Sequence, residues 1–131
     1  MLKKTIKYVD FDGVNREEDY YFNLTKAEVV QMQLGHSGGV TKLLERIIAE
    51  KDNVQLIERF KDIIHRSYGI KSDDGKRFMK NEKILEDFKA TEAYSELFIE
   101  LATNAEAATH FINNVLPKEI NEISNHPALN K

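Results

Sequence analysis

Two aspartates, Asp10 and Asp12, sit two residues apart in the run Tyr8-Val-Asp10-Phe-Asp12-Gly13-Val14. Such a pair at the end of a strand could transfer a phosphoryl group. One carboxylate would act as nucleophile and the other as acid/base over a magnesium ion. That chemistry needs a buried parallel strand and a large α/β domain to bring further ligands. Here the residues before the pair alternate polar and apolar, as in an antiparallel hairpin, and no second strand–helix unit follows. The run therefore reads as an Asp-Gly turn.

The remaining candidates weaken in the same way. Asp73-Asp74-Gly75 and the Asp10–Gly13 run both lack the ligand spacing and the twelfth-position glutamate of a calcium loop. His36, His65, His110 and His126 include no pair at zinc-site spacing, and the chain has no cysteine to assist them. Lack of cysteine also removes disulfides and thiolate nucleophiles, and fits a reducing compartment. Gly35-His-Ser-Gly-Gly39 is not followed by Lys-Ser or Lys-Thr, so it is a hinge and not a phosphate loop. No catalytic, metal or cofactor site is expected, and the chain reads as a non-enzyme.

Composition narrows the partners. At 131 residues the chain suits one domain, and 41% hydrophobic content allows a real core. Nineteen basic against 22 acidic residues give a net charge of -3, with no basic patch, which argues against nucleic acid and anionic membrane. No apolar run approaches the roughly 20 residues of a membrane span. The basic N-terminus has no apolar segment behind it, as a secretory signal would require.

The elements follow from periodicity. Ile6 and Tyr8, then Tyr20, Phe22 and Leu24, alternate with polar neighbours on either side of Asp12-Gly13 and predict a β-hairpin over about 4–24. Thr25-Lys-Ala-Glu28 is a capping box flanked by the staple residues Leu24 and Val29, and opens a helix to about Leu34. Val40, Leu43, Leu44, Ile47 and Ile48 form one helical stripe. Val54, Ile57, Phe60, Ile63 and Ile64 form the next, closing at Tyr68-Gly69 with Gly69 in the left-handed C-terminal position. Ile70–Lys80 reads as a polar connector with a turn at Asp74-Gly75, anchored by Phe78 and Met79. Asn81 can cap a helix bearing Ile84, Leu85 and Phe88, and Thr91 or one of its neighbours starts another with Tyr94, Leu97, Phe98 and Leu101 on one face. Thr103-Asn-Ala-Glu106 is a second capping box, before Ala108, Phe111, Ile112, Val115, Leu116 and the closing Pro117.

The expected fold is α+β and mostly α, an N-terminal hairpin packed on about five or six short helices. Residues 1–117 form a single domain with a helical body over about 25–117, and 118–131 are a frayed or disordered tail.

The set of motifs Asp10-Phe-Asp-Gly-Val, Tyr21-Phe-Asn-Leu-Thr-Lys-Ala-Glu28, Ser67-Tyr-Gly-Ile-Lys-Ser-Asp-Asp-Gly-Lys-Arg-Phe78, Thr91-Glu-Ala-Tyr-Ser-Glu-Leu-Phe98 and Phe111-Ile-Asn113 resembles the tail assembly chaperones of long-tailed bacteriophages and prophages. The resemblance runs from about Thr5 to Pro117. It implies a protein of the host bacterial cytoplasm that coats the tape measure protein, keeps it soluble, and hands over to tail tube protein. Many such proteins also have a longer, frameshifted form. Self-association is open to a protein of this kind, and the rival class is a structural minor tail protein of the tube or its completion. No residue-level map comes with the resemblance. For the client that the resemblance implies, the two C-terminal helices and the connector are expected to form part of the partner surface through Phe78, Met79, Tyr94, Phe98 and Phe111, by helix-in-groove packing, the alternative being that all five belong to the core.

Overall fold

The computed structural model describes residues 1–31 and 54–117, with side chains from 57 onward in the second stretch. Gly35–Gly39, the stripe from Val40 to Ile48, His36, His126 and the tail from Lys118 lie outside the described residues.

The first hairpin pairs β1 (Leu2–Val9) with β2 (Asn15–Phe22) in antiparallel register from Leu2↔Phe22 to Val9↔Asn15. Its turn is built by Asp10. One carboxylate oxygen accepts the amides of Asp12 and Val14, both at 2.9 Å, and the other takes Arg16 Nε at 2.8 Å. Gly13 completes the turn at φ 78°, where a Cβ would be strained. Both Asp10 oxygens are thus committed to local structure. The Arg16 bond, then the Val14 amide, hold the carboxyl below its usual range.

α1 (Lys26–Gln31) starts as the capping box requires: Thr25 Oγ1 accepts from the Glu28 amide and Glu28 accepts from the Thr25 amide. Leu24 and Val29 are both fully buried. α2 (Val54–Ser67) then runs directly into β3 (Tyr68–Lys71), which pairs antiparallel with β2 at Tyr21↔Gly69 and Phe22↔Tyr68. β4 (Phe78–Met79) returns along β3, so the sheet order is β1-β2-β3-β4. Three helices follow: α3 (Glu82–Lys89), α4 (Glu92–Thr103) and α5 (Ala105–Val115).

The α+β architecture agrees with the sequence reading, and three local expectations are corrected. Ile70–Lys80 is a second hairpin and not a plain connector. Gly75 (φ 74°) forms its turn, and Asp74 accepts from Ser72 Oγ and the Lys76 amide. Gly69 does not cap a helix in the left-handed region. It lies inside β3, where a Cβ would stand 2.7 Å from the Phe78 ring and 2.9 Å from the Met79 carbonyl oxygen. The absent side chain lets β4 close on β3. Gly69→Ala is therefore expected to cost about 1–3 kcal/mol by overpacking, read as a lower urea midpoint, whereas Gly13→Ala would act through backbone strain alone. Thr103 is not the cap of α5. Asn104 is, its side-chain oxygen accepting from the Ala107 amide at 3.1 Å, while Thr103 bonds back to Ile99 inside α4. An Asn at this position satisfies a free helical amide better than the threonine before it.

The helices cover one face of the sheet. Ile6 and Phe22 point inward and meet Leu97 and Leu101 of α4, Phe88 of α3, and Ala108, Phe111 and Ile112 of α5 in one core. Phe22 is the aromatic hub, with ring centroids 5.1 Å from Phe111, 5.6 Å from Tyr68 and 5.9 Å from Phe88. Tyr68 stacks on Phe88 at 4.2 Å.

The short link after β2 closes two helix ends. The Asn23 amide donates to the Ser67 carbonyl at the end of α2, and the Leu24 amide to Val115 at the end of α5. Lys80 completes the junction. Its ammonium donates to the carbonyls of Asn23 (2.7 Å) and Arg66 (2.6 Å) and to both carboxylate oxygens of Glu28 (2.8 and 2.9 Å). Last-turn carbonyls of a helix have no internal partner, so a lysine there meets a real need.

Candidate partner-binding surface

The five residues expected to face a partner fall into three places. Tyr94 and Phe98 stand one helical turn apart on α4 and are brought together, ring centroids 6.1 Å apart. Both are half-buried, one edge on the core and the other on solvent. Thr91 fixes their helix by accepting from the Tyr94 amide. Tyr94 is held on three sides: edge-on to Phe88 at 5.5 Å, beside Phe98, and with its hydroxyl 2.8 Å from His65 Nε2 on α2. Burial raises the Tyr94 pKa, and burial, then Lys89 and Lys61, lower that of His65. The pair therefore sits as a neutral phenol against a neutral imidazole near pH 7.

Phe78 and Met79 occupy β4, the far edge of the sheet from β1. Phe78 is half-buried over Gly69 with the Lys80 ammonium 5.6 Å from its ring centre, and Met79 is 36% exposed. The ring contacts of Tyr94 run to His65, Phe88 and Phe98 and do not extend to Phe78. Phe111 is 3% exposed and edge-on to Phe22, a core position from which it cannot present a face to a partner.

Other apolar surface was missed. Phe11 is 78% exposed at the tip of the first hairpin, between Val9 and Val14, and Ile99 is 58% exposed on α4 beside β1. For Phe11 a signal existed: an aromatic between two turn-forming aspartates has nothing above or below it to bury against. For Ile99 the only hint was its position one step off the Tyr94–Phe98 stripe.

Asp10 and Asp74 spend their carboxylates on turns, and among the described residues no group of three or more acidic or histidine side chains could hold a metal. No helix among them is long and apolar enough to cross a membrane. What the surface can do is offer half-buried aromatic edges on a rigid helix, which is contact chemistry.

A family model described as phage tail assembly chaperone matches residues 1–129. No curated protein and no solved structure matches the chain.

Proposed function

We propose that this chain, which belongs to the phage tail assembly chaperone family, binds the tape measure protein and keeps it soluble in the host cytoplasm while tail tube protein assembles, without catalysing a reaction. The family supports a role in tail assembly, and the Tyr94–Phe98 edge supports the binding mode. A long helical client carries apolar stripes that aggregate if left bare. Half-buried rings already ordered by the core can cover such a stripe with little further loss of side-chain freedom. Met79 and the exposed edge of Phe78 extend the apolar surface on the second hairpin, and Phe111 supports α5 from inside. Contacts of this size are individually weak, so later displacement by tube subunits stays easy while many copies on one client bind firmly.

Co-expression with the cognate tape measure protein tests the surface. Phe98→Asp places a charge at a half-buried position one turn from Tyr94. The expected result is a folded chain with a several-fold lower yield of soluble tape measure protein. An unchanged yield with the variant folded would remove this surface from the reading. The rival role, a minor structural tail protein, would leave the chain in purified virions, where mass spectrometry would find it at fixed stoichiometry.

A further inference from the structure

We infer that His65 is the positioning residue of the client surface: it fixes the Tyr94 hydroxyl, and with it the ring edge a client meets, and it does so as a neutral imidazole that the bound client requires. This inference rests on the reading of Tyr94 and Phe98 as that surface and adds to it a residue from a second helix. The rings of His65, Tyr94 and Phe98 form a row that crosses from α2 to α4, with successive centroids 5.7 and 6.1 Å apart. All three are half-buried, so each keeps an edge toward solvent.

A tyrosine at the rim of a core is free to change its first side-chain rotamer unless its far end is tied. Here Phe88 meets the Tyr94 ring edge-on at 5.5 Å from inside, and the hydroxyl is tied to His65 Nε2 on the other helix at 2.8 Å. The ring is ordered before a client arrives, so binding loses less side-chain freedom.

The surroundings of the imidazole set its charge. α2 brings Glu58, Lys61 and Asp62 to its side, α3 brings Glu86 and Lys89, and α4 presents the Tyr94 hydroxyl. The carboxylates are engaged elsewhere: Asp62 with Arg66 at 3.1 Å, Glu86 with Lys89 at 3.0 Å and Glu58 with Lys61 at 3.8 Å. A proton on His65 would therefore meet two lysines in a partly desolvated place. Burial, then Lys89 and Lys61, lower its pKa, against a smaller opposite pull from Asp62 and Glu86. A client that lays apolar side chains over the ring row strips more water from the imidazole and so selects its neutral form. The sign follows. Client affinity is full above the imidazole midpoint and falls as pH drops through it. One pH unit below the midpoint about one-tenth of the chains are neutral, and affinity is about tenfold weaker.

The cognate tape measure protein, tagged and captured on resin, is titrated with the full chain from about pH 8 to about pH 5. His65→Gln puts an amide close to the place of Nε2, keeps a partner for the hydroxyl and does not titrate. It is expected to bind like wild type at the upper end and to lack the wild-type fall on acidification. His65→Leu and Tyr94→Phe each break the bond and are expected to bind about three- to tenfold more weakly at the upper end. The double variant should be little weaker than either, because both remove one interaction. Circular dichroism checks that each folds; should His65→Leu misfold, the Gln and Phe variants carry the test. An NMR titration of the free wild-type chain is expected to place the His65 midpoint below the ordinary value of about 6.5. The same pH profile in wild type and His65→Gln, a Tyr94→Phe protein that binds like wild type, or a His65 midpoint at or above the ordinary value would each overturn the inference. Phe98→Asp separates it from the reading beneath it. Unchanged binding in that variant removes the surface and the role of His65 together, whereas lost binding there, with unaltered pH dependence in His65→Gln, removes the role of His65 alone.

Discussion

Phe22→Ala is expected to unfold at a much lower urea concentration than the wild type. Phe22 is fully buried and touches the rings of Tyr68, Phe88 and Phe111, so it joins the sheet to α3 and α5 at once. Removing a buried phenylalanine side chain costs about 3–5 kcal/mol, from lost transfer free energy plus the cavity left behind. Domains of this kind have only about 5–15 kcal/mol in total. The ring partners are themselves anchored on separate elements and cannot collapse together into the gap, which favours the upper part of the range. Urea titration followed by circular dichroism should show a much lower midpoint with the slope little changed. Phe22→Leu, which keeps most of the volume, is expected to lose under half as much. A loss below about 1 kcal/mol for alanine would mean that the three-ring contact is not the core of the fold.

Lys80→Met is the second large effect. The methionine keeps the aliphatic stem but removes the ammonium that serves the Asn23 and Arg66 carbonyls and the Glu28 carboxylate together. Three acceptors lose a charged donor in a half-buried junction, for an expected cost of about 2–4 kcal/mol. The wild type carries a matching pH signature. Burial alone would raise the Glu28 pKa, but the Lys80 bonds and the Thr25 amide outweigh it and lower the value. A carboxyl whose folded pKa lies below its unfolded one stabilises above the unfolded pKa, and that contribution is lost as pH falls through the folded pKa. The wild type should therefore lose stability on acidification below the ordinary glutamate range, and Lys80→Met should lose less over the same window. Thermal melts across pH separate the two. Parallel acid curves for wild type and variant would show that the junction is not coupled to Glu28.

How much of this was legible in the sequence depends on the range of the interactions. The Thr25–Glu28 box, the Asn81 and Thr91 caps and the Asp10 turn depend on neighbours within four residues, and each has the predicted local form. The second hairpin did not announce itself, because β4 has two residues and no period can be read from two residues. Gly69 was misread for a related reason. A glycine after a helical stripe suggests a left-handed cap, but its requirement comes from the Phe78 ring, which only the fold brings near. The stripes located apolar faces without separating core from rim. Phe111 and Phe98 look alike in sequence, and only packing puts one at the hub and the other at the edge.

The junction at Asn23 and Leu24 has a consequence for how the protein is made. Leu24 bonds to Val115 and Phe22 packs on Phe111, so the first hairpin leaves the ribosome long before its lid is synthesised. At about 5–20 residues per second, Ile6, Phe22 and Leu24 stay uncovered for on the order of ten seconds. A chaperone with this topology passes its own nascent stage with the future core bare. Translation pauses placed before α5 would lengthen that interval, and with it the chance of aggregation, without altering a single residue of the finished fold.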